Sequence, residues 1–150
     1  MSFLNHDWFH KVYDYILIDC PPSLSMLTIN ALAAADSIIV PVSAQYLPVK
    51  GMTQLMKTIN KVRKQINPAL EVDGILLTLV DARTNLARIT IETLQQQYGN
   101  VLYIYKTQIP VAVKAAETSV TGMSIYTYNK GSKVAEAYTE LTKEVLNNGR

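Results

Sequence analysis

The sequence predicts an α/β fold, with a mostly parallel sheet flanked by helices. Short apolar runs alternate with longer amphipathic segments, an order that is typical of βαβ units. The apolar runs have hydrophobic residues at consecutive positions, as strands covered on both faces do. Of the 150 residues 49% are apolar and 17% are charged, which suits one ordinary domain and excludes a disordered chain.

The first predicted strand is Tyr13–Asp19, which reads YDYILID. Pro21 and Pro22 end it, because proline has no N–H group to donate to a sheet. A helix over Ser23–Ala35 follows, with small and apolar residues on one face. We assign residues 1–10 to an N-terminal extension before this first strand.

The rest of the chain continues the alternation. The helix at 52–66 is the clearest, because its apolar residues fall on one face and its lysines fall off it. Residues 147–150 form a polar tail, and the whole of 1–150 is predicted to be one partial domain. The further elements, in chain order, are strand Ile38–Val42, helix Met52–Ile66, strand Val72–Val80, helix Asn85–Tyr98 capped by Asn85, strands Val101–Tyr105 and Ile125–Tyr128, and helix Ser132–Leu146.

Charge, cysteine count and hydropathy exclude several classes of protein. The net charge of +2, from 14 basic and 12 acidic residues, is too small to indicate a nucleic-acid binder by itself. A single cysteine suits a reducing compartment. We find neither a signal-peptide pattern nor an apolar run that approaches the ~18 residues of a membrane span. The sequence therefore predicts a cytoplasmic protein without a membrane partner.

Asp19 is the first candidate functional residue. It stands at the carboxyl end of a predicted buried strand, where open α/β sheets bind their ligands. A carboxylate at that position can hold Mg²⁺ directly or through water. The alternative is that Asp19 only caps the turn that follows.

Five segments together resemble one family of proteins. Tyr13–Leu32 (YDYILIDCPPSLSMLTINAL) is similar to the Walker B and switch II region of the ParA/Soj partitioning ATPases, which carry a deviant Walker A loop like MinD. Several linked segments in the family's order are more specific than one motif. The other four are ADSIIVPV at 35–42, GILLTLVDARTN at 74–85, QIPVAVKAAE at 108–117 and KVAEAYTELTKEV at 133–145.

The resemblance implies a P-loop NTPase-like fold, truncated here at the N-terminus, and an ATP and Mg²⁺ site. It makes Asp19 the Walker B acid on the Mg²⁺ side of ATP, and it makes Cys20, Pro21 and Pro22 the start of switch II. We expect Cys20 to be a small buried side chain rather than a reactive thiol.

The resemblance also implies a base-binding side. Pro110 matches the family's proline in the adenine pocket, and Asp81 and Arg83 follow a strand end near the base. Ala112 stands where the family has an asparagine. From the residues alone, Arg83 beside a helix start could hold a phosphate or could form an ordinary salt bridge.

Lys114 and Lys133 match two basic positions of the family's non-specific DNA surface. Both are lysines where arginine is common, so each keeps the charge that a phosphate needs but lacks the bidentate fork. The resemblance therefore implies DNA as a partner, together with a ParB-like protein that stimulates hydrolysis and a homodimer formed on ATP.

The family's P-loop has no counterpart in this sequence, which contains no G-x-x-x-x-G-K-[ST]. The chain therefore resembles the C-terminal portion of a ParA ATPase, and we expect no ATP hydrolysis by it alone. Without the neighbouring P-loop strand, the strand at 13–19 would expose an edge that favours dimers or higher oligomers.

The function implied is that of a ParA-like plasmid or chromosome partitioning ATPase, located on the nucleoid in the cytoplasm. Two alternatives remain open. One is a non-catalytic interaction module that pairs with a full-length ParA or with a ParB-like protein. The other is a DNA-binding remnant that works without nucleotide, through Lys114 and Lys133.

Overall fold

The structure is a computed structural model that describes residues 12–21, 23, 25–45 and 49–148. The chain divides into two compact units. The first comprises the described residues up to Ile38 and those of 49–71, and the second comprises the described residues of 39–45 and 72–148. The elements are α1 Met26–Ala34, β1 Ser37–Ser43, α2 Val49–Gln65, β2 Glu71–Thr78, α3 Asn85–Tyr98, α4 Val113–Thr121, α5 Ile125–Asn129 and α6 Lys133–Asn148.

The first unit contains α1 and α2, and the sequence predicted both helices. Met52, Ile59 and Val62 of α2 are buried, as their spacing on one face predicts. The Asn67 side-chain amide, just after α2, donates to the carbonyls of Leu32 at 3.1 Å and Ala35 at 2.8 Å. One side chain thus satisfies carbonyls at the end of α1 and attaches the turn after α2 to them.

The predicted strand at 13–19 is wrong, because residues 15–20 belong to neither helix nor strand. Ile16, Leu17 and Ile18 are exposed there, Leu17 to 92%. A strand exists only through the hydrogen bonds of a neighbouring strand. The two-stranded sheet of the described residues does not include this segment, so apolar composition alone does not make it a strand.

The second unit is built on β2, which is parallel to β1. The Ala44 N–H donates to the Thr78 carbonyl at the end of this pairing. On its other edge, β2 makes a parallel bridge between Ile75 and Ile104. The strand predicted at 101–105 is therefore this single bridge rather than a full strand.

The core of the second unit joins the sheet to α6. Leu76, Tyr105, Ile109 and Val134 form a buried cluster. Partly buried side chains of the same unit pack around the cluster; they are Ile39, Ala112, Ala115, Ile125, Ala137, Leu141 and Val145.

One short helix, α5, replaces the predicted strand at 125–128. Gly122 ends α4 with a positive φ of 66°, and the Ser124 side chain then accepts from the Thr127 N–H to cap α5. A cap of this kind starts a helix even where the sequence is rich in tyrosine and isoleucine, which favour strands. The prediction of α6 is confirmed, although this helix continues to Asn148 and so includes the first two residues of the predicted polar tail.

Candidate functional site

The loop after β2 leads directly into α3. Val80 is buried; its N–H donates to the Ile109 carbonyl and its carbonyl accepts from the Val111 N–H. The helix cap is Thr84, whose side chain accepts from the Ala87 N–H. The expected cap at Asn85 is wrong by one residue, because Asn85 already has helical geometry as the first residue of α3.

Asp81 and Arg83 form a bidentate ion pair within this loop. Arg83 Nε donates to Oδ1 of Asp81 at 2.9 Å, and Nη2 donates to Oδ2 at 2.8 Å. Hydrogen bonds from the Arg83 side chain and backbone lower the pKa of Asp81 to about 2, and the carboxylate raises the pKa of Arg83 in turn. Of the two interpretations of Arg83, the structure shows the salt bridge.

A groove of 540 Å³ lies beside this loop. Its apolar wall contains Val80, Ala82 and Pro110, and its polar wall includes Thr107 and Gln108. The structure therefore brings Pro110 next to the loop that holds Asp81 and Arg83. The side of the groove formed by α6 is lined by Lys133, Glu136, Ala137 and Glu140.

Glu144 on α6 is a site residue that sequence reasoning missed. Its Oε1 accepts from the Tyr103 hydroxyl at 2.6 Å and from the Lys106 N–H at 2.8 Å, and its Oε2 accepts from the Thr107 N–H at 2.9 Å. Partial burial raises its pKa, but hydrogen bonds from Thr107, Tyr103 and the backbone outweigh that effect and lower it to about 2. The sequence contained one signal for this role. Glu144 is next to Val145 and three residues after Leu141, and both of these side chains pack against the core.

The residues assigned to the Mg²⁺ side of ATP lie in the first unit. Asp19, Cys20 and Pro21 are all exposed. The expectation that Cys20 is buried is wrong, because the segment around it is not packed into a core. The carbonyl of Pro21 accepts from the Ser23 N–H at 2.7 Å. Pro22 lies outside the described residues.

Metal ligands do not cluster in the part of the chain that the structure describes. No three side chains of His, Cys, Asp or Glu come together there. Mg²⁺ bound with a nucleotide commonly takes one or two carboxylates and completes its shell with phosphates and water. Asp19 is the carboxylate of this chain that the resemblance assigns to that role.

Lys114 and Lys133 are exposed near the starts of α4 and α6. Neither takes part in the ion pairs found among the described residues, which join Arg83 to Asp81 and Lys143 to Glu140. Both ammonium groups are thus available to an external anion.

Membrane insertion receives no support from the helices. Among those in the described ranges, none combines the length and apolar character that a membrane crossing requires.

Comparison with known proteins gives consistent matches. A model of the AAA domain matches residues 6–72. The sporulation initiation inhibitor protein Soj of Bacillus subtilis is 46% identical over 137 residues, which cover 91% of this chain and 53% of Soj. The chromosome partitioning protein ParA of Caulobacter vibrioides is 38% identical over 92% of this chain and 51% of its own length. The chain thus spans about half the length of these relatives.

Solved structures share the fold. Cobyrinic acid a,c-diamide synthase from Mycobacterium smegmatis matches 95% of this chain and 49% of its own, with a TM-score of 0.73 and 33% identity. The same enzyme with a bound ATP analog and magnesium matches 85% of this chain and 45% of its own, with a TM-score of 0.69 and 36% identity.

Proposed function

This chain belongs to the ParA/Soj family of partitioning ATPases, and we propose that its second unit supplies a wall that binds the base of an adenine nucleotide. The observation that carries the proposal is the groove in the second unit, which joins Pro110 to the loop after β2. The resemblance assigned the base to these two segments, although Arg83 and Pro110 are 27 positions apart in the sequence.

The groove has the chemistry that a purine base requires. Val80, Ala82 and Pro110 offer apolar surface to the face of a planar ring, and Thr107 and Gln108 can form hydrogen bonds with its edge. A volume of 540 Å³ lies within the range of small-molecule sites, about 300–1,000 Å³. We propose that Pro110 positions the base and that the Asp81–Arg83 pair holds the loop beside it.

The phosphate side is less complete in this sequence. Asp19 offers a carboxylate for Mg²⁺, but the sequence contains no G-x-x-x-x-G-K-[ST] to surround the phosphates with N–H groups and a lysine. Mg²⁺ would neutralise phosphate charge when bound, and the residues of this chain would hold it through Asp19. We propose that the 150 residues bind adenine nucleotides chiefly through the base and do not hydrolyse ATP alone.

The test is a titration of the ¹⁵N-labelled chain with Mg-ATP and with AMP, together with calorimetry of the Asp19→Ala variant. We expect the amide signals of Ala82 and Gln108 to shift with both nucleotides, since the base is common to them. Mg-ATP that binds far more tightly than AMP, and loses that advantage in Asp19→Ala, would show that the chain holds the phosphates. The absence of binding by either nucleotide would overturn the proposal.

DNA binding is a second proposed function, supported by the exposure of Lys114 and Lys133 and by their absence from the ion pairs above. In a filter or anisotropy assay, changing both lysines to Gln should weaken binding to duplexes of any sequence. The slope of the logarithm of the binding constant against the logarithm of the salt concentration should also become shallower, by about one unit for each phosphate that a lysine no longer neutralises. Lys57→Gln with Lys61→Gln on α2 is the matched control, and an equal loss there would refute a specific role for the pair.

The remaining properties implied by the family are proposals for this chain. They are ATP-dependent dimerisation, stimulation by a ParB-like partner and a nucleoid location in the cytoplasm. The alternative of a non-catalytic interaction module predicts co-purification with a full-length ParA in the absence of nucleotide. Light scattering with and without Mg-ATP distinguishes a nucleotide-dependent dimer from a constitutive one.

A further inference from the structure

The segment Lys106–Gln108 leaves the sheet between two anchored residues. Before it, the Tyr105 N–H donates to the Ile75 carbonyl at 2.9 Å, and after it the Ile109 N–H donates to the Leu77 carbonyl at 2.9 Å. Lys106, Thr107 and Gln108 all line the groove. The shape of that wall therefore depends on what holds the three residues between the anchors.

Glu144 of α6 holds this segment. Its two carboxylate oxygens accept the N–H groups of Lys106 and Thr107, and the Tyr103 hydroxyl donates to the same carboxylate. Hydrogen bonds to an ionised acceptor are about twice as strong as those between neutral groups. Three donors on one side chain restrict its rotamer and, with it, the path of the loop.

We propose that Glu144 is a positioning residue, which sets the Lys106–Gln108 wall of the groove for the nucleotide base without touching the nucleotide. The inference rests on the proposed function of that groove. It adds that the affinity for the base depends on a carboxylate that is not among the residues lining the groove.

Glu144→Gln tests this with little change of shape. An amide has one acceptor oxygen, and its NH₂ group faces an N–H donor where the carboxylate offered an oxygen. At least one loop N–H group therefore loses its acceptor. Tyr103→Phe removes one donor but leaves both backbone bonds, so it should have a smaller effect.

Glu117→Gln is the matched control. Glu117 also accepts from a tyrosine hydroxyl, that of Tyr128 at 2.8 Å, but it binds no loop N–H group and does not line the groove. A purely structural loss should lower stability in the same way in either variant. It should not change the nucleotide affinity of chains that remain folded by circular dichroism.

The experiment measures AMP affinity by ¹⁵N titration and amide hydrogen exchange of Lys106 and Thr107 in all four proteins. For Glu144→Gln we expect about fivefold weaker binding and at least about tenfold faster exchange at these two amides, with the amide of Leu94 in α3 unchanged. Glu117→Gln should match the original chain in both readouts.

Each other outcome overturns the inference. If the original chain binds AMP and Glu144→Gln binds it equally well, Glu144 does not position the wall, although the groove remains a nucleotide site. If affinity falls without faster exchange at Lys106 and Thr107, the effect does not pass through the loop. If the original chain binds no AMP, the proposed function of the groove fails and this inference fails with it.

Discussion

Replacement of Gly74 by alanine tests the packing that supports the groove. Gly74 lies in β2 against the buried ring of Tyr105. A Cβ atom there would be 2.8 Å from Cε2 of Tyr105 and 3.0 Å from the carbonyl oxygen of Tyr103. Neither neighbour can move freely, because that carbonyl accepts from the Ile75 N–H and the Tyr105 hydroxyl donates to Asp73.

The magnitude follows from two opposing effects. Overpacking a rigid core costs about 1–3 kcal/mol. Alanine has less conformational entropy than glycine in the unfolded chain, which stabilises the folded state by about 0.4–1 kcal/mol where the new side chain fits. We therefore expect Gly74→Ala to lower the free energy of unfolding by about 1–2 kcal/mol. For a chain of this length the melting temperature should fall by about 2–8 °C.

Urea unfolding followed by circular dichroism measures the change, with Gly51→Ala as the control. Gly51 lies in α2 with nothing within 4 Å of an added Cβ, so alanine there should raise stability, by about 0.5–1 kcal/mol. In a Tyr105→Leu background, Gly74→Ala should cost at least about 0.5 kcal/mol less. Equal or greater stability of Gly74→Ala in the original chain would refute this account of the packing.

Three further predictions use the same unfolding assay. The low pKa of Glu144 in the folded chain contributes stability that is fully present above pH 4.5 and is lost as the pH falls towards about 2. The shift corresponds to at most about 3.4 kcal/mol, which solvent access reduces to about 1–2 kcal/mol. The stability gap between the original chain and Glu144→Gln should shrink over that interval, and a gap independent of pH would contradict this. Thr84→Ala should lose the cap of α3, at about 1 kcal/mol, whereas Thr84→Ser should keep it. Asn67→Ala should cost about 1–3 kcal/mol by leaving two carbonyls unsatisfied, and Asn67→Asp should be no better because its carboxylate repels them.

The sequence predicted a helix or strand correctly where the apolar pattern of that segment alone indicates its type. The bounds of α3, β2 and α6 were predicted to within two residues, because the pattern of apolar side chains reveals the buried face. It failed at 13–19 and 125–128, where strand-forming residues have no partner strand or follow a helix cap. Strand propensity measures fit to a neighbouring surface, which a local window does not contain.

The sequence also identified some residues of the candidate site and missed another. Pro110, Asp81 and Arg83 were selected from a resemblance of linear motifs, and the structure places Pro110 in the groove beside the loop of the other two. Glu144 was not selected, because its partners lie 37 to 41 positions earlier in the chain. A carboxylate on a helix is usually a solvated side chain, and only the packed loop identifies this one as a hydrogen-bond acceptor.

Residue types and spacings were sufficient to predict the α/β class and the order of most helices and strands, and the linked motifs were sufficient to show the resemblance to the ParA/Soj family. These properties reside in the linear pattern of the chain, which persists whatever the chain packs against. The folded structure was needed to decide which apolar segments became strands, that Arg83 pairs with Asp81, and that Glu144 binds the loop at the wall of the groove. Those outcomes depend on hydrogen bonds whose donors and acceptors meet only once the chain has folded.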